Sequence, residues 1–391
     1  MQGFEFCCPT KIVCGKDALM KIGDELKGLK VSKPLVVTDQ GLVKFGIAHR
    51  LFQILDSQGI CYQVFDQVPP DSSLSVVNGL AALYEQNACD GFVALGGGSV
   101  IDTTKGAAAS LSCKGVDFAT LQGSEILDAT LAPIIAIPTT AGTGSEVTLV
   151  AVVADTERQV KLSFTSYRLV PPVAILDPAL TSTLPPKLTA TTGMDALTHA
   201  IEAYTSIQKN PVSDAFALGA IALIKENIFI ACAEGGNADA RSALALGSLM
   251  AGAAFSNAMV GIIHAIGHSL GGLCHIPHGQ AMMLLLPHCI DHNIARGLHV
   301  GLYGDLLHSL DEALYLATPA EERATAFAQL IHRMNARFHQ EYEVPINLGD
   351  LGVERSQFAA IAKQARYDGA ALYNAQEISL DDVLGILEAA Y

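Results

Sequence analysis

Basic residues are scarce in this sequence. Against 39 aspartates and glutamates stand only 24 lysines and arginines in 391 residues, a formal charge of −15 at pH 7. No basic block or aromatic–basic interleaving offsets that balance, which counts against nucleic acid or an anionic membrane as the main partner. Charge of either sign is thin, at 16% of residues, while 50% are hydrophobic; such a chain is core-rich and globular rather than disordered. The cysteines lack a pattern. There are nine, an odd number, none in a C-x-x-C pair, with Cys7 and Cys8 adjacent. A reduced compartment fits this better than a disulfide framework. The N-terminal MQGFEFCCPTKIVCG has Glu5 early and neither a basic n-region nor an apolar h-region. No signal peptide is expected, and the cytoplasm is the expected location.

The longest absence is of charge. From Ser242 to Ile290 there is no Asp, Glu, Lys or Arg. A membrane helix needs about 20 predominantly apolar residues, and Ala243 to Ile263 comes close. Ser248, Ser256 and Asn257 interrupt it, no basic flank follows, and His264 and His268 come directly after. A buried core helix is therefore expected rather than a span.

What is present has a clear order. Pro34–Thr38, Cys61–Phe65, Gly91–Leu95, Ile134–Ile137 and Val173–Leu176 read as short apolar strands, with helices at Asp17–Leu29, Val43–Asp56, Ser73–Glu85 and Ser99–Ser110 between them. Such alternation predicts a parallel sheet covered on both faces. Val147–Val153 and Val160–Phe164, separated by Asp155–Glu157, read as an inserted hairpin. Beyond Pro185-Pro186 the strand signals stop and Ala/Leu-rich helical spacing takes over. The expected organisation is an α/β domain over residues 1–184 and a helical domain over 185–391, with no internal repeat.

Neither G-x-G-x-x-G nor G-x-x-x-x-G-K-[ST] occurs, which excludes an ordinary Rossmann or Walker loop. Gly96-Gly97-Gly98-Ser99 nevertheless follows a strand and opens a helix, where bare backbone and first-turn N–H groups suit a pyrophosphate. A tight strand-to-helix turn accounts for the same residues without a ligand. Asp39 ends a strand in VVTDQG, where a carboxylate accepts from a ribose diol and repels a 2′-phosphate, favouring NAD over NADP; a solvated turn aspartate is the plainer alternative. Pro138-Thr139-Thr140-Ala-Gly-Thr143-Gly-Ser145-Glu146 also follows a strand and offers hydroxyls to a cofactor. Asp102, one turn after Ser99, complements the helix dipole and is spaced to pair locally with Lys105.

Asp195 and His199 lie four apart, so on a helix they share a face. His264 and His268 repeat the spacing, and His278 follows after Gly271-Gly272 and Pro277. Several histidines crowd a segment stripped of charge, where buried imidazoles need partners, and one divalent cation partners several rings at once. Fe(II), Zn(II), Mn(II) and Co(II) all accept such a set.

Taken together, Phe6-x-x-Pro9-Thr10-Lys11-Ile12, GGGSVIDTTK (96–105), PTTAGTGSEVT (138–148), GMDALTHAIEAY (193–204) and HAIGHSLGGLCHIPHGQA (264–281) resemble the iron-containing alcohol dehydrogenase family, in its lactaldehyde reductase and 1,3-propanediol dehydrogenase branch. The resemblance implies the family's dehydroquinate synthase-like fold: a nucleotide-binding α/β domain, an all-α domain and a site in the cleft. It further implies an NAD(H)-linked alcohol dehydrogenase, with a small alcohol or aldehyde as substrate and a homodimer or assembly of dimers. Asp195, His199, His264 and His278 then hold the metal, Fe(II) with Zn(II) as an alternative, and His268 is a non-ligand relaying a proton. Gly97, Gly98, Ser99, Asp102, Thr139 and Thr140 resemble the cofactor contacts, and Lys161 and Leu180 its ribose and nicotinamide flanks. Val150 and Phe255 resemble residues facing the substrate. The chain departs from many relatives at Asn374-Ala375, where they carry Asn-Pro, which weakens transfer of substrate contacts from that loop. Cys274 reads as a small buried hydrophobe. A dehydroquinate synthase-like lyase would need lysines and arginines beside the metal, and Ser242–Ile290 offers none. A glycerol dehydrogenase is closer in chemistry, and a non-catalytic scaffold would have no use for these motifs.

Overall fold

The computed structural model describes residues 3–113, 116, 118–156, 158 and 160–391. They divide into two compact units. One comprises Cys7–Thr183 with Gly236–Ala245; the other comprises Leu184–Gly235, Leu246–Tyr391 and the N-terminal segment through Phe6.

The first unit carries strands β1 (Lys11–Cys14), β2 (Pro34–Val37), β3 (Gln63–Phe65), β4 (Gly91–Gly96), β5 (Gly123–Ser124), β6 (Ile134–Pro138), β7 (Val150–Asp155), β8 (Val160–Thr165) and β9 (Val173–Leu176). Six form a parallel sheet in the order β1-β9-β6-β4-β2-β3. Between strands run α1 (Ile22–Gly28), α2 (Gln40–Lys44), α3 (Ile47–Ser57), α4 (Leu74–Gln86) and α5 (Gly98–Ser112). The central strands β2, β4, β6 and β9 are buried throughout, as strands covered on both faces must be. Alternation sends their side chains into two separate cores. Val36, Val93, Leu95, Ile135 and Ile175 pack with Leu51 and Leu55 of α3, whereas Leu35, Val37, Phe92, Ala94 and Ala136 pack with Leu80 of α4 and Ile101 of α5.

The sheet has one strand more than the sequence pattern predicts. β1, at the edge beside β9, buries only Val13 of its four residues, so it carries no apolar run. The expected helix at Asp17–Leu29 is a 3₁₀ turn (Ala18–Lys21) followed by α1, and that at Val43–Asp56 is broken between α2 and α3. The hairpin is present as antiparallel β7 and β8, with β5 parallel to β8 in a separate sheet. Its first strand starts later than expected because Ser145–Val147 forms a 3₁₀ turn. Glu157, in the expected connection, lies outside the described residues.

The remaining helices are α6 (Pro186–Thr205), α7 (Pro211–Ala233), α8 (Ala238–Ala258), α9 (Ile262–Cys274), α10 (His278–Ala295), α11 (Val300–Leu310), α12 (Glu312–Ala317), α13 (Arg323–Tyr342), α14 (Phe358–Arg366) and α15 (Leu380–Ala389). The charge-free stretch is not one core helix. α8 stops at Ala258, Met259 takes a left-handed φ of 65°, and α9 sets off at 105° to α8. Among the described helices only α7 is, unbroken, long and apolar enough to cross a bilayer. It also carries Asp214, Lys225 and Glu226, each costly at a bilayer centre, and packs along α6.

Candidate metal centre and nucleotide turn

On α6, Asp195, His199 and Glu202 recur at helical spacing and so share a face. α9 adds His264 and His268, and His278 is the first residue of α10. One close approach brings His278 in. A Cβ on Gly279 would lie 2.7 Å from the Thr191 carbonyl oxygen, so only glycine lets the first turn of α10 rest against α6. As a result, one donor atom each from Asp195, His199, His264 and His278 lies within 4.8 Å of all the others.

These donors have no other use. Asp195 Oδ1, His199 Nδ1 and His264 Nε2 are buried and make no hydrogen bond to any described residue. The nearest approaches to Asp195 Oδ1 are His278 Nε2 at 3.3 Å and His199 Nδ1 at 3.8 Å. An unpaired buried polar atom costs about 1–3 kcal/mol, and here three converge on one point, which a divalent cation satisfies together. Three imidazole nitrogens and one carboxylate oxygen suit Fe(II) or Zn(II). The His278 side chain is 28% exposed, against 5% or less for the other three, so the cluster is open on its side.

The electrostatics prepare the same state. Burial alone would raise the Asp195 carboxyl, but His199, His278 and His264 outweigh it and hold the group well below the usual carboxylate range. Burial pushes His199 down to about 3 and His264 well below the ordinary imidazole range. An ionised carboxylate and neutral rings with free lone pairs are the protonation states that metal binding requires. Glu202 fixes one ring. Its Oε2 lies 2.5 Å from His264 Nδ1 and its Oε1 accepts from the Ile263 N–H at 2.7 Å. Burial pushes Glu202 up to about 7 against the pull of the Gly261 and Ile263 N–H groups. With Nδ1 held by the carboxyl group, Nε2 is the nitrogen turned to the cluster. Phe255, buried, stacks on the His199 ring at 4.4 Å and backs it. Half-buried Cys274 ends α9, and burial raises its thiol, the opposite of what activates a cysteine.

His268 stands beside this group, its ring centroid 5.8 Å from that of His264 and 5.7 Å from that of His278. Its Nδ1 lies 3.0 Å from Asp368 Oδ2, and Asp368 Oδ1 accepts from the Ala370 N–H. That pairing orients the ring and leaves Nε2 without a partner among the described residues.

In the first unit, β4 runs into α5 through Gly96-Gly97. A Cβ on Gly98 would meet Thr143 Cγ2 at 2.7 Å, and one on Gly97 would meet Thr140 Oγ1 at 3.2 Å. The turn is thus pressed against the 139–145 loop, with the Gly98 and Ser99 N–H groups lacking intrahelical acceptors, a cradle that fits a pyrophosphate. Thr139, buried, donates its N–H to the Gly96 carbonyl at 3.0 Å, tying loop to turn. Other residues point inward. The Ser99 hydroxyl donates to the Pro70 carbonyl. Asp102 accepts from Ser145 Oγ at 2.5 Å and from the Val152 N–H at 2.9 Å. Lys105 is fully buried, donating to Thr148 O, Thr148 Oγ1 and Val150 O at 2.8, 3.0 and 2.9 Å. Burial pushes it down to about 8, partly offset by Asp102 and Glu146. Both side chains therefore brace α5 against β7, whose first residue is half-buried Val150. Asp39 caps α2 through the Leu42 N–H at 2.9 Å. Lys161 pairs with Asp71 at 3.1 Å, and Leu180 is packed in the core beneath the sheet.

Glu202 and Asp368 have no role in the sequence reading. Glu202 carried a signal, an acid seven residues after Asp195 on an otherwise buried face. Asp368 carried none, being 100 residues from the histidine it orients.

Comparison with known proteins agrees over the whole length. The family model for iron-containing alcohol dehydrogenase matches residues 9–178, and that for the C-terminal part of the Fe-containing alcohol dehydrogenase family matches residues 189–391. The chain is 37% identical over 390 residues to 1,3-propanediol dehydrogenase of Klebsiella pneumoniae, covering 99% of each chain. It is 34% identical over 386 residues to NAD-dependent methanol dehydrogenase of Bacillus methanolicus, covering 98% of this chain and 99% of the other. A crystal structure of 1,3-propanediol oxidoreductase matches with a TM-score of 0.94 at 37% identity, covering 100% of both chains.

Proposed function

The chain belongs to the iron-containing alcohol dehydrogenase family, and from that premise we propose that it interconverts a small aliphatic alcohol or diol and its aldehyde or ketone. It is an oxidoreductase; metal-dependent, NAD(H)-linked exchange between alcohol and carbonyl compound is the family's chemistry. A bound divalent cation supplies Lewis acidity at the substrate oxygen, and NAD supplies the hydride acceptor. In our reading residues 185–391 hold the cation through Asp195, His199, His264 and His278, while residues 1–184 hold the dinucleotide. Gly97, Gly98, Ser99, Thr139 and Thr140 approach its pyrophosphate, with Asp39 at the ribose. Asp102 and Lys105 keep the turn in place from behind. His268 Nε2 takes the hydroxyl proton and passes it to solvent. Relatives named for 1,3-propanediol and methanol support a short substrate. We also place the enzyme in the cytoplasm as a homodimer or assembly of dimers; the nine free cysteines support a reducing compartment.

The observation that carries this reading is the convergence of three buried, unpaired ligand atoms beside an open fourth. Its test is reconstitution. Metal-depleted protein, loaded anaerobically with Fe(II) or Zn(II), is expected to reduce NAD⁺ with at least one of a panel of C2–C4 alcohols and diols, read at 340 nm. Silence across every combination of metal, NAD⁺ or NADP⁺ and alcohol would remove it.

Asp39 allows a test of cofactor choice. Asparagine caps a helix as well as aspartate does, so Asp39→Asn keeps the Leu42 contact and removes only the charge. The ratio of kcat/KM for NADP⁺ to that for NAD⁺ is expected to rise about tenfold, equivalent to ~1.4 kcal/mol. An unchanged ratio would place Asp39 in the cap alone.

A further inference from the structure

A second group of potential ligands lies away from the site described above. His288 and Asp291 are three apart on α10 and so share a face; His332 comes from the middle of α13. One ligand atom from each lies within 4.8 Å of both others. His332 Nε2 stands 2.7 Å from Asp291 Oδ2, and the two imidazole rings meet edge to face at 5.3 Å and 83°. We propose that His288, Asp291 and His332 form a second divalent-metal site, of the Zn(II) and Ni(II) class, which clips α10 to α13.

Three observations carry this beyond a surface ion pair. First, an ion pair uses only Asp291 and His332. His288 is half-buried against them, yet neither of its ring nitrogens makes a hydrogen bond to any described residue. Second, the donor set is selective. Two imidazoles and one carboxylate match borderline-soft cations, whereas Mg(II) and Ca(II) prefer all-oxygen shells. The Asp291 and His332 side chains are 51% and 41% exposed, so water can complete the coordination. Third, the ligands span a junction already drawn together. Asn335 on α13 donates to the Met283 carbonyl on α10 at 2.7 Å. A metal three residues away from Asn335 would brace the helix whose first residue is His278.

The test uses the holoenzyme with its central site filled. Equilibrium dialysis against Zn(II) in a weakly competing buffer, followed by elemental analysis, counts total metal per chain. Two equivalents are expected for the wild type and one for His288→Ala and for His332→Ala, both changes lying outside the catalytic group. The second equivalent should also raise the unfolding midpoint of the wild type and leave that of His332→Ala unmoved. A single equivalent in the wild type, or a second one that persists in either variant, would reduce the cluster to a surface ion pair and overturn the proposal.

Discussion

Asp195→Asn is expected to strip the protein of its catalytic metal and to lower NAD-linked turnover at least about 10³-fold, the scale on which Lewis-acid stabilisation of several kcal/mol operates. The substitution is chosen for shape. Asparagine fills the same volume, so the side chain stays buried at 2% exposure and the α6 face is not hollowed out. What disappears is the one anionic donor. His199, His264 and His278 then face a doubly charged ion with no anionic donor beside them, and the charge balance that makes burial of the ion tolerable is gone. In the metal-free chain Asp195 Oδ1 is an unpaired buried atom, yet the neighbouring imidazoles outweigh the burial of its charge, so neutralising it should lower the thermal midpoint of the apoprotein modestly. Elemental analysis after dialysis, turnover and a thermal midpoint separate the two effects. Retained metal with retained turnover would take Asp195 out of the ligand set.

That asymmetry, in which ligands sit poorly without the ion and well with it, also marks the limit of what the sequence disclosed. The i, i+4 spacings of Asp195/His199 and His264/His268 were legible because a helix converts spacing into a shared face. Which histidines converge was not, because it depends on how α6, α9 and α10 pack. It turns on Gly279, whose missing side chain reads in sequence as nothing more than a helix start. The four central strands were legible for a similar reason: strands buried on both faces need apolar residues at every position. β1 was not, since an edge strand with one buried residue leaves no pattern. Asp102 and Lys105 illustrate a third case. Their place in the first turns after Gly98 suggested a helix-dipole partner and a local pair, with a cofactor contact for Asp102 by resemblance, and nothing in the spacing pointed to the three acceptors around Thr148 and Val150 that Lys105 reaches. Charge in a motif does not say which way the side chain points. His288, Asp291 and His332 are a fourth, where the helical spacing covers two ligands and the third comes from another helix.

His268→Ala is the variant expected to separate chemistry from metal binding. The ring stacks on His278 at 19° but contributes no atom to the four-donor group, so alanine there should leave one catalytic metal per chain. Turnover should fall about 10²–10⁴-fold, the range for loss of a positioned general base. The loss should narrow at alkaline pH, where hydroxide accepts the proton directly, which a purely structural defect would not reproduce. Asp368→Asn provides the companion measurement. Asp368 sits below the usual carboxylate range because His268 outweighs the effect of burial, and the 3.0 Å contact orients the ring. Asparagine keeps the size, weakens the orientation of the ring and should lower kcat about tenfold with KM and metal content little changed. If His268→Ala instead loses its metal, the histidine belongs to the scaffold of the centre. The proton would then have to leave by a route that does not include His268 Nε2.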